Sequence, residues 1–200
     1  MNELTQTPAP APEVTDRSRR LWPSPGILFA NARAVLAARW HFRSAQWLGP
    51  RVRLWGRAVV KNRGSLIIGD RARLEGRIVP IEMTVEPGAS LEIGERTFIN
   101  YGCSIAATER VQIGPHCNIG TYCIIMDNDF HRLEPERRHE MPPSAPITIE
   151  ANVWLGARVT VLRGVTIGAG SVIGAGSVVV RDIPPRSLAV GTPARVIRQL

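Results

Sequence analysis

Residues 147–179 read ITIEANVWLGARVTVLRGVTIGAGSVIGAGSVV, and an aliphatic residue recurs at every sixth position of this stretch. The series consists of Ile149, Leu155, Val161, Ile167, Ile173 and Val179. A six-residue period suits neither a helix of 3.6 residues per turn nor a strand that alternates every two residues. It is typical of short strands joined by tight turns and wound into a solenoid. Three such hexads make a coil of 18 residues, so we expect Ile149 to stack on Ile167 and Leu155 on Ile173.

The same period extends upstream and defines one repeat domain over residues 50–198. Aliphatic residues recur at Ile93, Ile99 and Ile105, and glycines follow many of the periodic positions. An 18-residue coil also predicts that Cys117 stacks on Ile99, and Cys123 on Ile105, as small core residues. The period is broken once, by the segment 126–146, which reads MDNDFHRLEPERRHEMPPSAP. Because long excursions from a compact repeat are often functional, this loop is the first place to look for a site.

The N-terminal quarter has a different composition from the repeat domain. Residues 1–23 are rich in proline and threonine, which predicts a disordered tail. Residues 24–49 are predicted to form a basic amphipathic helix, since Ser24-Pro25 is a typical start and Gly49-Pro50 a typical stop. Its predicted apolar stripe consists of Phe29, Leu36, Trp40 and Trp47, and Arg33 and Arg43 flank this stripe.

Composition limits the classes of protein to consider. The chain has 200 residues and a net charge of +8, and residues 17–63 contain eleven basic residues and no acidic one. Such a segment suits nucleic acid or an anionic membrane surface, but no nucleic-acid recognition motif accompanies it. Three cysteines and no secretory signal favour a reducing cytoplasm. Two roles stay open for the helix: packing on the repeat domain, or peripheral contact with the inner face of the membrane through residues 17–63.

Residues 60–198 resemble the hexapeptide-repeat acyltransferases. The most specific part is the run from Ala151 to Arg198, which is similar to O-acetyltransferases of the sugar and cell-surface polysaccharide branch, including galactoside and maltose acetyltransferases. The resemblance implies an all-β fold, a left-handed parallel β-helix with an N-terminal helix and one long excursion loop. The left hand comes from the resemblance alone, since parallel crossovers generally favour the right hand. It also implies acetyl-CoA as the acyl donor, no metal, and a homotrimer with sites between subunits.

The resemblance implies particular roles for residues around the excursion loop. His131 occupies the position of the catalytic base, which removes the proton of an acceptor hydroxyl during attack. Asn100 matches an asparagine of the acceptor pocket. An acidic residue of the family falls at Thr108 here, so its role needs a substitute, for which Glu109, Asp127 and Asp129 are the candidates. Asp129 is our choice as support for His131, and Asp127 is assigned to acceptor binding.

The resemblance also marks the donor side of the site. Trp154 and Ala157 match the segment that lies against the pantetheine arm, and the Ala157 N–H is expected to face the thioester oxygen. Ala175 leaves room for the pantetheine. Arg195 and Arg198 match basic positions near the phosphates of coenzyme A, for which the forked guanidinium is well suited.

Four other functions compete with this assignment. A zinc carbonic anhydrase needs three histidines around one metal, and the spacing of His116, His131 and His139 is wrong for that family. His116 is predicted to be a surface turn residue, and His139 is predicted to be solvated. A nucleotidyltransferase would need a further domain that residues 1–60 cannot form. A non-catalytic structural solenoid, and an acetyltransferase for an amine or an antibiotic, remain as alternatives to a sugar or glycan acceptor.

Overall fold

The computed structural model describes residues 25–200, which form a parallel β-helix of about seven turns with one α-helix at its N-terminal end. The predicted fold class is therefore confirmed. The predicted tail, residues 1–23, lies outside the described residues. No helix within residues 25–200 is long and apolar enough to span a membrane.

The elements follow one another in short segments. The helix α1 covers Pro25–His41 and a 3₁₀ turn covers Pro135–Arg137. The strands are β1 (Trp47–Leu48), β2 (Arg53–Asn62), β3 (Ser65–Ile68), β4 (Arg73–Val85), β5 (Ser90–Ile93), β6 (Phe98–Ile99), β7 (Ser104–Ala107), β8 (Arg110–Ile113), β9 (Asn118–Ile119), β10 (Ile124–Met126), β11 (Ile147–Ile149), β12 (Trp154–Leu155), β13 (Thr160–Val161), β14 (Thr166–Ile167), β15 (Val172–Ile173), β16 (Val178–Val179), β17 (Ser187–Gly191) and β18 (Ala194–Gln199).

The strands stack in three parallel faces. Face one contains β1, β3, β5, β8, β11 and β14. Face two contains the first halves of β2 and β4, followed by β6, β9, β12, β15 and β17. Face three contains the second halves of β2 and β4, followed by β7, β10, β13 and β16. The long strand β2 turns from face two to face three at Gly56, whose φ is +91°. A Cβ at Gly56 would lie 2.2 Å from the carbonyl carbon of Gly76, so this corner requires glycine.

The aliphatic residues of the six-residue period fill the interior as predicted. In the C-terminal coils, Ile149 stacks on Ile167, Leu155 on Ile173 and Val161 on Val179. These side chains are fully buried. Because each coil repeats the last, one continuous aliphatic column runs along the solenoid axis.

The predicted 18-residue spacing is wrong for the coil that contains Cys103 and Cys117. Ile99 stacks on Ile119 rather than on Cys117, and Ile105 stacks on Ile125 rather than on Cys123. The repeat from Ile99 to Ile119 is 20 residues long, because the inward-facing Ile113 follows the inward-facing Ile105 by eight positions instead of six.

The cysteines are nevertheless small core residues. Cys103, Cys117 and Cys123 are fully buried and reduced. Contact with the Cys123 thiol and burial both raise the pKa of the Cys103 thiol, and burial raises the pKa of Cys117. A raised pKa disfavours the reactive thiolate, so neither residue is suited to nucleophilic catalysis.

The N-terminal helix differs from the sequence prediction in length and in orientation. It ends at His41, and Trp47 lies on β1, so the predicted stripe is not a single helical face. The helix packs on β2 through Ala34 and Ala38, which are buried. Phe29, Leu36 and Trp40 are about two-thirds exposed, at 66%, 65% and 69%. The large apolar side chains of α1 therefore point away from the β-helix.

Candidate active site

A pocket of about 360 Å³ lies on face two, where three coils stack. Its lining includes Asn100 from the turn after β6 and Trp154 from β12, two residues that the sequence analysis assigned to acceptor and donor binding. The structure therefore brings these two predicted residues together. The lining is completed by Phe98, Asn118, Ile119 and Gly120.

The walls of this pocket are the outward-facing positions of consecutive coils. Phe98, Asn118 and Trp154 stack directly on one another, and the residue after each of them points into the core. Trp154 is 55% exposed, so its indole is accessible to a ligand or to another chain. The sequence analysis missed Asn118, although its position just before inward-facing Ile119 indicates that it points outward.

Two of the residues predicted to bind the donor, Ala157 and Ala175, lie at the edge between faces two and three. Gly120 packs so closely under this edge that a Cβ there would be 2.7 Å from the Ala157 nitrogen. The Ala157 N–H donates no hydrogen bond to any other group of residues 25–200. Gly156, in turn, packs against Ala175 of the next coil, where an added Cβ would be 2.6 Å from the Ala175 nitrogen. The edge beside Trp154 thus offers small residues and a free backbone donor.

His131 lies on the excursion loop and its ring is held by the backbone. The His131 Nδ1 atom is 2.7 Å from the carbonyl oxygen of Arg138. A carbonyl only accepts hydrogen bonds, so Nδ1 carries the proton and donates it to this contact. The lone pair is then on Nε2, and the side chain is exposed. This is the tautomer that a general base needs.

Hydrogen bonds join the two ends of the loop that carries His131. The Asn128 side chain donates to the Pro142 carbonyl at 3.0 Å and to the Ser144 hydroxyl at 2.8 Å. The Ala145 N–H donates to the Asp127 carbonyl at 3.0 Å. These bonds close the base of the excursion.

The assignment of Asp129 as support for His131 is wrong in this structure. The Asp129 carboxylate accepts a hydrogen bond from Arg163 Nε at 2.5 Å, and both side chains are about 40% exposed. The partner of the His131 ring is the Arg138 carbonyl instead. A backbone carbonyl leaves no signal in the residue type, which is why the sequence analysis chose a nearby carboxylate.

Asp127 does not have the exposure that acceptor binding requires. It is fully buried, and its carboxylate accepts the backbone N–H groups of Thr108, Glu109 and Arg110 at 2.7, 2.8 and 2.8 Å. These three bonds fix the turn between β7 and β8, where the coil holds its two additional residues. We therefore correct the role of Asp127 from acceptor binding to support of this turn.

Thr108 occupies the position at which the family resemblance predicts an acidic residue. Its hydroxyl oxygen is buried and has no hydrogen-bond partner within residues 25–200. Since the Thr108 N–H is bound by Asp127, the nearest carboxylate contacts the backbone of this residue and not its side chain.

Arg195 and Arg198 lie on β18, which pairs antiparallel with β17 at the C-terminal end of the solenoid. Both side chains are exposed. Within residues 25–200, neither guanidinium has a carboxylate within 4.0 Å. Neither positive charge is therefore compensated by a carboxylate of these residues.

The remaining histidines do not form a metal centre with His131. His116 is an exposed residue at the edge between faces one and two, with a φ of +61°, and His139 is exposed on the excursion loop. No group of three or more His, Cys, Asp or Glu side chains within the described residues could hold a metal ion.

Known proteins share both the sequence repeat and this architecture. Residues 146–181 match the family described as bacterial transferase hexapeptide (six repeats). Galactoside O-acetyltransferase of Escherichia coli is 40% identical over 114 residues, covering 56% of this chain and 56% of that protein. Nodulation protein L of Rhizobium meliloti is 38% identical over 122 residues, covering 60% of this chain and 66% of that protein. The chain thus spans less than two-thirds of these curated relatives.

A solved structure extends the match to most of a related chain. The crystal structure of a hexapeptide-repeat acetyltransferase from Vibrio cholerae is 34% identical, with a TM-score of 0.59, and the match covers 66% of this chain and 72% of that one. A second structure, described as that acetyltransferase in complex with acetyl coenzyme A, matches with 28% identity and a TM-score of 0.56 over 88% of this chain and 90% of that one. Six-residue repeats wound into a parallel β-helix define the class of hexapeptide transferases. The chain belongs to the hexapeptide-repeat acetyltransferase family.

Proposed function

We propose that this protein transfers an acetyl group from acetyl-CoA to a hydroxyl of a sugar or glycan, with His131 as the general base. The observation that carries the proposal is the 2.7 Å contact between His131 Nδ1 and the Arg138 carbonyl, which leaves Nε2 free to accept a proton. The acetyl-CoA complex of the Vibrio cholerae relative and the activity named for galactoside O-acetyltransferase support the donor and the acceptor class.

In the proposed reaction, Nε2 of His131 takes the proton from the acceptor hydroxyl as its oxygen attacks the thioester carbon. The tetrahedral intermediate places negative charge on the thioester oxygen, and the free Ala157 N–H is a suitable donor to it. Collapse of the intermediate breaks the carbon–sulfur bond. The imidazolium then returns its proton to the leaving thiolate of coenzyme A.

Each substrate has its own group of residues in this proposal. Trp154 and the small residue Ala175 receive the pantetheine arm, and Arg195 and Arg198 bind the phosphates of coenzyme A. Asn100 contacts the acceptor beside Trp154 in the pocket on face two.

We further propose that the active form is a homotrimer. His131 follows β10 of face three, whereas Asn100 and Trp154 lie on and beside face two. The pocket that contains Asn100 and Trp154 does not include His131. A site that uses all three residues is therefore best completed by a second copy of the chain.

The test is release of coenzyme A thiol from acetyl-CoA in the presence of matched acceptors, a set of oligosaccharides and the corresponding amino sugars. We expect thiol release with the hydroxyl acceptors and a product that loses its acetyl group in mild alkali, as an ester does. An alkali-stable amide product would instead support the alternative, an amine acceptor. Failure to bind or consume acetyl-CoA with every acceptor would favour a structural solenoid.

A further inference from the structure

A strip of arginines lies beside the candidate active-site pocket. Arg53 and Arg73 occupy the outward-facing positions of the first two coils on face two, and Arg71 and Arg96 lie at the adjacent edge. Together with one histidine and two asparagines they line a second pocket of about 400 Å³. Asn118 lines this pocket and the candidate active-site pocket as well, so the two pockets are adjacent.

The positive charge of this strip is largely uncompensated. Within residues 25–200, Arg53, Arg73 and Arg96 have no carboxylate within 4.0 Å of their guanidinium nitrogens. Of the two carboxylates adjacent in sequence to Arg71 and Arg96, Asp70 is bound by Arg51 and lies 3.9 Å from Arg71. The other, Glu95, lies 3.9 Å from His116.

Aromatic rings hold two of these guanidinium groups in place. The Arg73 guanidinium lies 5.4 Å from the centre of the Phe98 ring, and Phe98 also lines the candidate active-site pocket. The Arg53 guanidinium lies 5.4 Å from the centre of the Trp55 ring and donates to the Asn31 side chain at 3.2 Å. Restrained guanidinium groups lose less conformational entropy when they bind an anion.

The position of the strip defines its relation to the reaction. Arg73, Phe98, Asn118 and Trp154 occupy consecutive rungs of one parallel stack. Since neighbouring strands are about 4.8 Å apart, Arg73 lies roughly 10 Å from Asn118 and 14 Å from Trp154 along the solenoid. That separation suits an acceptor whose reacting sugar lies at Asn100, beside Trp154, and whose next unit extends toward the N-terminal coils.

We propose that this arginine strip binds an anionic group of the acceptor, so that the enzyme acts on glycans that carry a phosphate or a carboxylate one or two units from the acetylated hydroxyl. The forked guanidinium matches either oxyanion. This inference rests on the proposed function, because it assigns the acceptor class of the same site.

The test uses pairs of acceptors that differ only in charge. One pair is an oligosaccharide containing glucuronic acid and the same oligosaccharide after its carboxyl groups are reduced; the other is N-acetylglucosamine 1-phosphate and N-acetylglucosamine. Each acceptor is used as a substrate in the thiol-release assay and is also titrated into the CoA-loaded protein by calorimetry. The variants are Arg73→Gln and Arg96→Gln, with Arg110→Gln on face one as the matched control, since all three side chains are exposed.

We expect the wild type to prefer the charged member of at least one pair by tenfold or more in kcat/KM. Each strip variant should lose about tenfold of this preference through the acceptor KM, the scale of one hydrogen bond to a charged group. The KM for acetyl-CoA should stay constant, and Arg110→Gln should keep the wild-type preference. The pair that responds identifies carboxylate or phosphate as the ligand.

Equal use and equal binding of both members in both pairs would overturn the assignment while leaving acetyl transfer intact. The assignment would also be wrong if Arg110→Gln lost the preference as strongly as the strip variants did. If no acceptor of any kind were acetylated, the proposed function would fail. The titration would then test the arginine strip alone. Binding of a charged probe that is lost in Arg73→Gln and Arg96→Gln would support the assignment. Absence of binding to the wild type would refute it.

Discussion

Replacement of Asp127 by asparagine should cost stability rather than acceptor affinity. The Asp127 carboxylate is fully buried and accepts three backbone N–H groups, two on one oxygen and one on the other. An amide keeps only one acceptor oxygen, so at least one N–H group would face the amide nitrogen without a partner. Since a lost hydrogen bond to a buried charged group costs about 1.5–3 kcal/mol, we expect Asp127→Asn to lower the free energy of unfolding by about 2–4 kcal/mol.

Asp129→Asn is the matched control, because Asp129 lies two residues away in the same loop. Among residues 25–200 its carboxylate is bound by Arg163 alone, and both side chains of this ion pair are about 40% exposed. Exposed ion pairs contribute roughly 0–1 kcal/mol, so this variant should unfold almost like the wild type. The measurement is urea unfolding of both variants at one protein concentration, followed by circular dichroism.

The acceptor KM of the folded variants supplies the second readout. We expect it to stay within a few-fold of the wild type for Asp127→Asn below the unfolding transition. A variant that unfolds like the wild type but has a strongly raised acceptor KM would refute the structural role. It would restore the acceptor-binding role that the sequence analysis assigned to Asp127.

Three further predictions concern the donor, the assembly and the helix. Arg195→Gln and Arg198→Gln should raise the KM for acetyl-CoA and leave that for the acceptor unchanged in steady-state assays; equal changes in both would indicate a folding defect. Mixing refolded His131→Ala and Asn100→Ala chains should recover activity that neither has alone, because a site between subunits combines one intact residue from each; no recovery would mean that each chain carries a complete site. Contact of residues 17–63 with an anionic membrane stays a prediction, supported by the exposed Phe29 and Trp40 and by a gain of about 1 kcal/mol for each basic residue near the surface. Sedimentation with phosphatidylserine vesicles should fall in high salt and in a Phe29→Ser/Trp40→Ser variant, whereas absent or unaltered sedimentation would contradict it.

The six-residue period predicted the interior well because the solenoid repeats one simple requirement. From Ile99 to Val179 each short strand buries a side chain of the periodic series, and the sequence supplies Ile, Leu or Val there. The prediction failed where Ile105 and Ile113 are separated by eight residues. Val111 also fits a six-residue spacing from Ile105, so the sequence alone did not reveal the two additional residues.

The apolar stripe of the N-terminal helix left open whether this helix packs on the repeat domain or contacts a membrane, and the packing that the structure shows does not use the stripe. Ala34 and Ala38 are too small to contribute much to an amphipathic pattern, yet they allow α1 to approach β2 closely. The large residues Phe29 and Trp40 consequently remain outside. A pattern of large apolar residues identifies a helix but not which side of it meets the next layer.

Side-chain contacts across long sequence separations were the least predictable part of the site. The backbone groups that Asp127 binds are 17 to 19 residues away, and Arg163, which binds Asp129, is 34 residues away. Nothing in the residue types at 127 and 129 distinguishes a buried turn anchor from an exposed ion pair. The coil positions of Asn100 and Trp154, in contrast, followed from the repeat and its family resemblance.

The most direct test of the proposed mechanism is the turnover of His131→Ala compared with His139→Ala, a histidine on the same exposed loop. Loss of a general base should lower kcat by about a hundredfold or more, while the affinity for acetyl-CoA measured by calorimetry stays near that of the wild type. His139→Ala should retain most of its activity. If His131→Ala kept most of its turnover, or if both variants lost it equally, His131 would not be the base and the proposed mechanism would be wrong.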